Sequence, residues 1–277
     1  MRTAYAAALT VLCLTAPMAL ATPAGADPHS QCTVNGVAPD SGTARISGTS
    51  GVDIIECDGN VGFTIDGKAG NDKITIAGVL HRGAAVYGDS GDDTITVAGI
   101  GSAVGSDAGS VVGGDGGDII TVSGGVTGGS VVGNGGNDVI QTGGVTRWVN
   151  RPAIVRGDDG DDKIATGGVA GPRSLLSLLN VPDPVVSGGV GADMIRTGAI
   201  GQGGEVSRGP GADDIEAASV GAKTAGRLWG AEDNDRISGT GNTPLPVGPG
   251  RGTVDGGAGT DTCNTKKTGR GMVVGCP

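Results

Sequence analysis

A nine-residue pattern recurs ten times along this 277-residue chain: Gly, any, any, Gly, any, Asp, any, Ile, any. It reads GTSGVDIIE at 48–56, GKAGNDKIT at 67–75, GDSGDDTIT at 88–96, GGDGGDIIT at 113–121 and GNGGNDVIQ at 133–141. It continues as GDDGDDKIA at 157–165, GGVGADMIR at 188–196, RGPGADDIE at 208–216, GAEDNDRIS at 230–238 and GGAGTDTCN at 256–264. The sixth position is always Asp: Asp53, Asp72, Asp93, Asp118, Asp138, Asp162, Asp193, Asp213, Asp235 and Asp261. The eighth is Ile until Cys263 replaces it in the last copy. A second register confirms the first. Two residues before each copy stands an aliphatic residue: Ile46, Ile65, Val86, Val111, Val131, Val155, Val186, Val206, Leu228 and Val254.

An aliphatic residue, a Gly-rich turn, an Asp and a second aliphatic residue read as strand, tight loop, strand. Successive Asp positions lie 19 to 31 residues apart, which is enough for two short strands and two turns. The chain is therefore read as an all-β parallel solenoid, a β-roll or β-helix of about ten coils. Ile stacks on Ile down one sheet and Val on Val down the other. Insertions are expected at the turn opposite the Asp loop, because that loop has a fixed length. The thin core explains a composition with 58 Gly and only five aromatic residues. Carboxylates outnumber cations, 29 to 19, so nucleic acid is an unsuitable partner.

Residues 1–26 carry Arg2, an apolar run and the Ala24-Gly25-Ala26 cleavage pattern of a secretory signal. Loss of Arg2 moves the net charge from −10 to −11. No later segment is long and apolar enough to span a bilayer, which predicts a secreted protein, in solution or on the cell wall. Four cysteines remain, two near each end: Cys32, Cys57, Cys263 and Cys276. Three pairings are open, and the local one, Cys32–Cys57 with Cys263–Cys276, staples both ends. Zinc fits poorly, with wide spacings and only His29 and His81 to complete a site. The organisation is then a signal peptide at 1–26, a cap at 27–45, the repeat body at 46–264 and a second cap at 265–277.

The pattern resembles the G-G-x-G-x-D-x-U-x nonapeptide of RTX (repeats-in-toxin, haemolysin-type) calcium-binding proteins. The copies at 113–121, 188–196 and 256–264 match it throughout, counting Cys263 as the large apolar residue. The copy at 230–238 has Asp233 in place of the fourth-position Gly, and that at 208–216 begins with Arg208. The resemblance implies Ca²⁺ held between loops of neighbouring coils by the ten sixth-position Asp carboxylates and by loop carbonyls. Carboxylate and carbonyl oxygens are the hard donors that Ca²⁺ takes. Ten loops offer at most nine gaps. Fewer are expected to be usable, because long insertions separate Asp93 from Asp118, Asp162 from Asp193 and Asp235 from Asp261. Family repeats usually follow every nine residues and serve both edges of the roll; here one copy per coil leaves ions on one edge only. Ten stacked carboxylates on an acidic chain repel one another unless a cation lies among them, so folding is expected to depend on calcium.

The reading is a calcium-binding protein without catalysis. A calcium-rigidified adhesion module with a cell-surface or protein partner is the first alternative, its candidate contacts being the Leu-rich insertion 172–184 and Trp148. A divergent polysaccharide-active solenoid enzyme is the second, and only Arg147, Arg151, Arg156 and Lys163 offer it basic groups. Gly88-Asp89-Ser90-Gly91-Asp92 resembles a serine-protease nucleophile loop but lies in the repeat register. Thr75, Thr96, Thr121, Thr142, Thr166 and Thr197 read as one ladder, of the kind ice-binding faces use or, more plainly, one of cross-strand hydrogen bonds.

Overall fold

A computed structural model describes residues 31–40, 45–81, 83–101, 108–148, 151–171 and 183–277. The signal segment 1–26 and most of the 172–184 insertion lie outside them. The described chain winds into a parallel β-solenoid of about ten coils, numbered 1 to 10 by their Asp. It forms a 16-stranded and an 11-stranded sheet. Among the described residues the helical content is one short 3₁₀ stretch, Thr240–Asn242.

Both predicted apolar ladders form in strict register. Ile55, Ile74, Ile95, Ile120, Ile140, Ile164, Ile195, Ile215, Ile237 and Cys263 pair successively down the larger sheet. Ile46, Ile65, Val86 and their successors run down the smaller sheet to Val254, which pairs Val273 in the C-terminal strand. Burial alternates along each of these strands, with Ile or Val inward and residues such as Lys, Thr or Arg outward, so each inward side chain meets its own kind in the coils above and below. Full burial of each is worth about 1.5–3 kcal/mol.

A third ladder has no counterpart in the nonapeptide. Val61, Leu80, Ile100, Val126, Val145, Val169, Ile200, Val220 and Val247 pair in sequence and are buried. Its members stand seven or eight residues after the Asp in coils 1 to 8 and twelve after it in coil 9, beyond the end of the nonapeptide.

The six threonines do not form one row. Thr75, Thr96 and Thr121 pair across strands on the outward side. Thr142 instead pairs Val122, and Thr197 pairs Ala217. Thr142, Thr166 and Thr197 stand one residue later in the repeat, and each donates its hydroxyl to the carbonyl of the following glycine at 3.0, 3.0 and 3.2 Å. Strand side chains alternate faces, so a one-residue offset moves a threonine from the outer row to the inner one.

The ends are stapled as the local pairing predicts. Strand Cys32–Val34 lies antiparallel to Ile54–Cys57, and Cys32 is bonded to Cys57 directly opposite it. Cys263 is bonded to Cys276 near the C-terminus.

Candidate functional site

The sixth-position Asp residues stack in one column at the edge between the two sheets, and all ten are at most 3% exposed. Each carboxylate is tied to the coil before it. The Asp53 N–H donates to Asp72 Oδ1 at 2.8 Å, Asp72 to Asp93 at 2.7 Å, and Asp93 to Asp118 at 2.8 Å. The series continues through Asp138, Asp162, Asp193, Asp213 and Asp235 to Asp261, at 2.7–3.1 Å. Every gap carries this bond. Across the three spacings expected to interrupt the column the bond is kept, because the nonapeptide loop that carries each Asp has the same length in every coil. The Asp93–Asp118, Asp162–Asp193 and Asp235–Asp261 bonds are 2.8, 2.9 and 3.0 Å.

The second oxygen has a different fate. Oδ2 of Asp72, Asp93, Asp118, Asp138, Asp162, Asp193, Asp213, Asp235 and Asp261 is buried with no hydrogen-bond partner. Its surroundings explain why the first repeat position is Gly. A Cβ at Gly67, Gly88, Gly113 or Gly133 would meet the carboxylate of its own coil and, within 2.8 Å, the carbonyl oxygen of the next coil's first glycine. Carboxylate and carbonyl, both acceptors, thus crowd the same glycine with no donor for the orphan oxygen. A buried acceptor without a partner costs about 1–3 kcal/mol, more when charged. A column of nine calls for a proton or a cation.

Backbone conformation marks the same loops. The second repeat position is left-handed at Lys68, Asp89, Gly114, Asn134, Asp158, Gly189, Ala231 and Gly257. This holds even in the departing copy 230–238, where Ala231 (φ 121°) and Asp233 (φ 73°) adopt angles that suit glycine. Thr49 in coil 1 and Gly209 in coil 8 lie outside the set. In coil 1 the Thr49 N–H donates to Asp53 Oδ2 at 2.6 Å and its hydroxyl at 3.0 Å, while Asn35 Nδ2 donates to Oδ1 at 2.6 Å. Asp53 is therefore a fully bonded cap, unlike its nine successors.

Burial is the largest influence on the carboxyls of the column. It pushes Asp118, Asp162 and Asp213 up to about 7, and Asp93, Asp138 and Asp193 up to about 6. The N–H from the preceding coil offsets this in part. At Asp53 burial also acts upward, but the Thr49 and Asn35 donors outweigh it and hold the group below the usual value.

A second column runs beside the first. Asn71 Oδ1 accepts from the Asp92 N–H at 3.1 Å, Asp92 from Gly117 at 2.9 Å, Asn137 from Asp161 at 2.8 Å, Asp161 from Ala192 at 2.8 Å, and Asn234 from Thr260 at 2.7 Å. These fifth-position residues reach forward, whereas the sixth-position Asp reaches back. The Asn or Asp preceding each of these invariant Asp residues was the available signal, one that a scan for the consensus passes over.

Among the described residues no three His, Cys, Asp or Glu side chains converge as a metal cluster. The column presents one carboxylate per coil, so a cation here would take its remaining ligands from backbone carbonyls. The donors present are hard oxygens, which suit Ca²⁺. No protein-family model, curated protein or solved structure matches the chain, so the likeness to RTX repeats rests on the nonapeptide itself.

Proposed function

We propose that this is a secreted calcium-binding protein whose ions lie along the Asp column and complete its fold. The observation that carries the reading is the run of nine buried Oδ2 atoms with no partner, eight of them presented by a loop of repeated conformation. Extended solenoids of this kind hold together through neighbouring coils alone, so a deficit repeated at nearly every loop bears on the whole molecule. Two disulfides accord with an oxidising compartment outside the cell, where calcium is abundant. Affinity in the range of extracellular modules, about 10⁻⁴–10⁻³ M, suffices there. The role is one of binding and scaffolding, without catalysis.

Calcium titration of residues 27–277, followed by calorimetry and far-UV circular dichroism, tests this. Expected are several ions per chain, a cooperative gain of β signal and release of protons on binding. A spectrum and melting temperature that stay constant between chelator and 10 mM Ca²⁺ would leave protonated carboxyls, donating to the facing carbonyls, as the explanation of the column.

A further inference from the structure

Arg208 is the single side chain at the first repeat position, where the other nine copies have Gly. Its guanidinium is wholly buried and reaches from coil 8 to coil 9. One terminal nitrogen lies 2.9 Å from Asp235 Oδ1, whose side chain is equally buried. That nitrogen also donates to the Asp213 carbonyl at 3.5 Å, and the other donates to the Arg236 carbonyl at 3.4 Å. The group thus brings a positive charge against the Oδ1 side of a column carboxylate and two backbone carbonyls, while Oδ2 of Asp213 and of Asp235 keeps no hydrogen-bond partner. Coil 8 is also one of the two described loops without the left-handed second residue: Gly209 lies outside that set, and the preceding strand Glu205–Ser207 stops short of the loop. The other such loop, in coil 1, has its carboxylate filled by Thr49 donors. The coil 8 loop thus departs from the shared conformation where a side chain takes the place of the first glycine, and the coil 1 loop where the chain's own donors meet its carboxylate.

We infer that Arg208 is an internal cation that replaces a metal ion in the gap between Asp213 and Asp235. It separates an ion-dependent run through coils 2 to 7 from a gap between coils 8 and 9 that holds its register without metal. This inference rests on the calcium reading of the remaining loops. Guanidinium is always charged and spans two or more acceptors at once, so it neutralises this gap at every calcium concentration. With the Cys263–Cys276 staple beyond it, the C-terminal end is a preformed template on which the other coils stack as ions arrive.

Two measurements test it. Native mass spectrometry counts Ca²⁺ on the wild type and on Arg208→Gly, which restores the consensus; the variant should carry one ion more. Hydrogen exchange on the wild type in chelator needs no variant. The Asp213 amide, which donates to Asp235 Oδ1 across this gap, should exchange about tenfold or more slowly than those of Asp93 and Asp118. Calcium uptake by the wild type with no extra ion in Arg208→Gly overturns the Arg208 inference alone. Equal exchange at these three amides does the same. No uptake by either form removes the calcium reading and this one together.

Discussion

Asp138 sits mid-column, 1% exposed, its Oδ1 accepting the Asp118 N–H at 2.8 Å and its Oδ2 without a partner. Asp138→Asn keeps the shape and the accepting oxygen but turns the orphan oxygen into a donor. Burial raises the carboxyl to about 6 from an ordinary 3.8. At pH 7.5 its ionised form therefore costs the folded state about 3 kcal/mol. That figure already includes the stronger bond the carboxylate accepts from the Asp118 N–H. In chelator the variant should be more stable by up to about 3 kcal/mol, a rise in melting temperature of roughly 6–12 °C for a domain of this size. In calcium the comparison changes, because the amide is a poorer ligand. An ion at a hundred times its dissociation constant contributes about 2.7 kcal/mol, so the calcium-induced gain should shrink by about that much per ion lost. Differential scanning calorimetry of both proteins, with and without 10 mM Ca²⁺, reads both effects. A variant that melts lower than wild type in chelator, or keeps the full calcium-induced gain, refutes the reasoning.

Three further expectations follow from the same geometry. Gly133→Ala places a methyl against the Asp138 carboxylate and the Gly157 carbonyl; it should cost about 3 kcal/mol or more and abolish the calcium response of the neighbouring gap, read by thermal melts with and without the ion. Ala231→Gly relieves a residue held at φ 121° and should raise the melting temperature, by about 1–2 kcal/mol of stability. For the metal-free protein, folded carboxyls raised to about 6 or 7 bind more protons than the unfolded chain does above pH 4. Stability without calcium should therefore fall as pH rises from about 4 to about 7. Chelator melts across that range check the sign: a metal-free protein that becomes more stable toward pH 7 contradicts the burial of these groups.

The residues that repeat made the coil legible. Asp at position six and Ile at position eight recur at fixed distance from the Gly-rich loop, so their stacking follows from alternation along a strand. The third ladder, from Val61 to Val247, lies beyond the nonapeptide, seven or eight residues after its Asp in eight coils and twelve in the ninth, and that slip blurs its register. The six threonines were misplaced for a related reason: with a period of two, an offset of one residue exchanges outside for inside. In the column, the identity of the ten Asp residues was legible, but their individual roles were not. Asp53 differs from Asp72 because of Asn35 and Thr49, a capping residue and a loop residue that no repeat marks. Arg208 was visible as a departure from consensus, whereas its reach into the next coil depends on the buried path between Asp213 and Asp235. The insertions appeared disruptive on the page, yet a solenoid admits extra length wherever the loop leaves the sheets.

The column of Asp bonds also has a direction. Each carboxylate receives an N–H from the coil before it, so an Asp amide finds its acceptor only when the chain has advanced another 19 to 31 residues. A stack that ends at any coil therefore presents an open amide on its C-terminal face, and the carboxylate of the next coil closes it while leaving its own amide for the one after. The forward-reaching Asn71, Asp92, Asn137, Asp161 and Asn234 act in the opposite sense, offering a waiting acceptor to the amide of the coil that follows. Growth of this molecule is in that respect a zipper with teeth set both ways, closed behind by one column and primed ahead by the other.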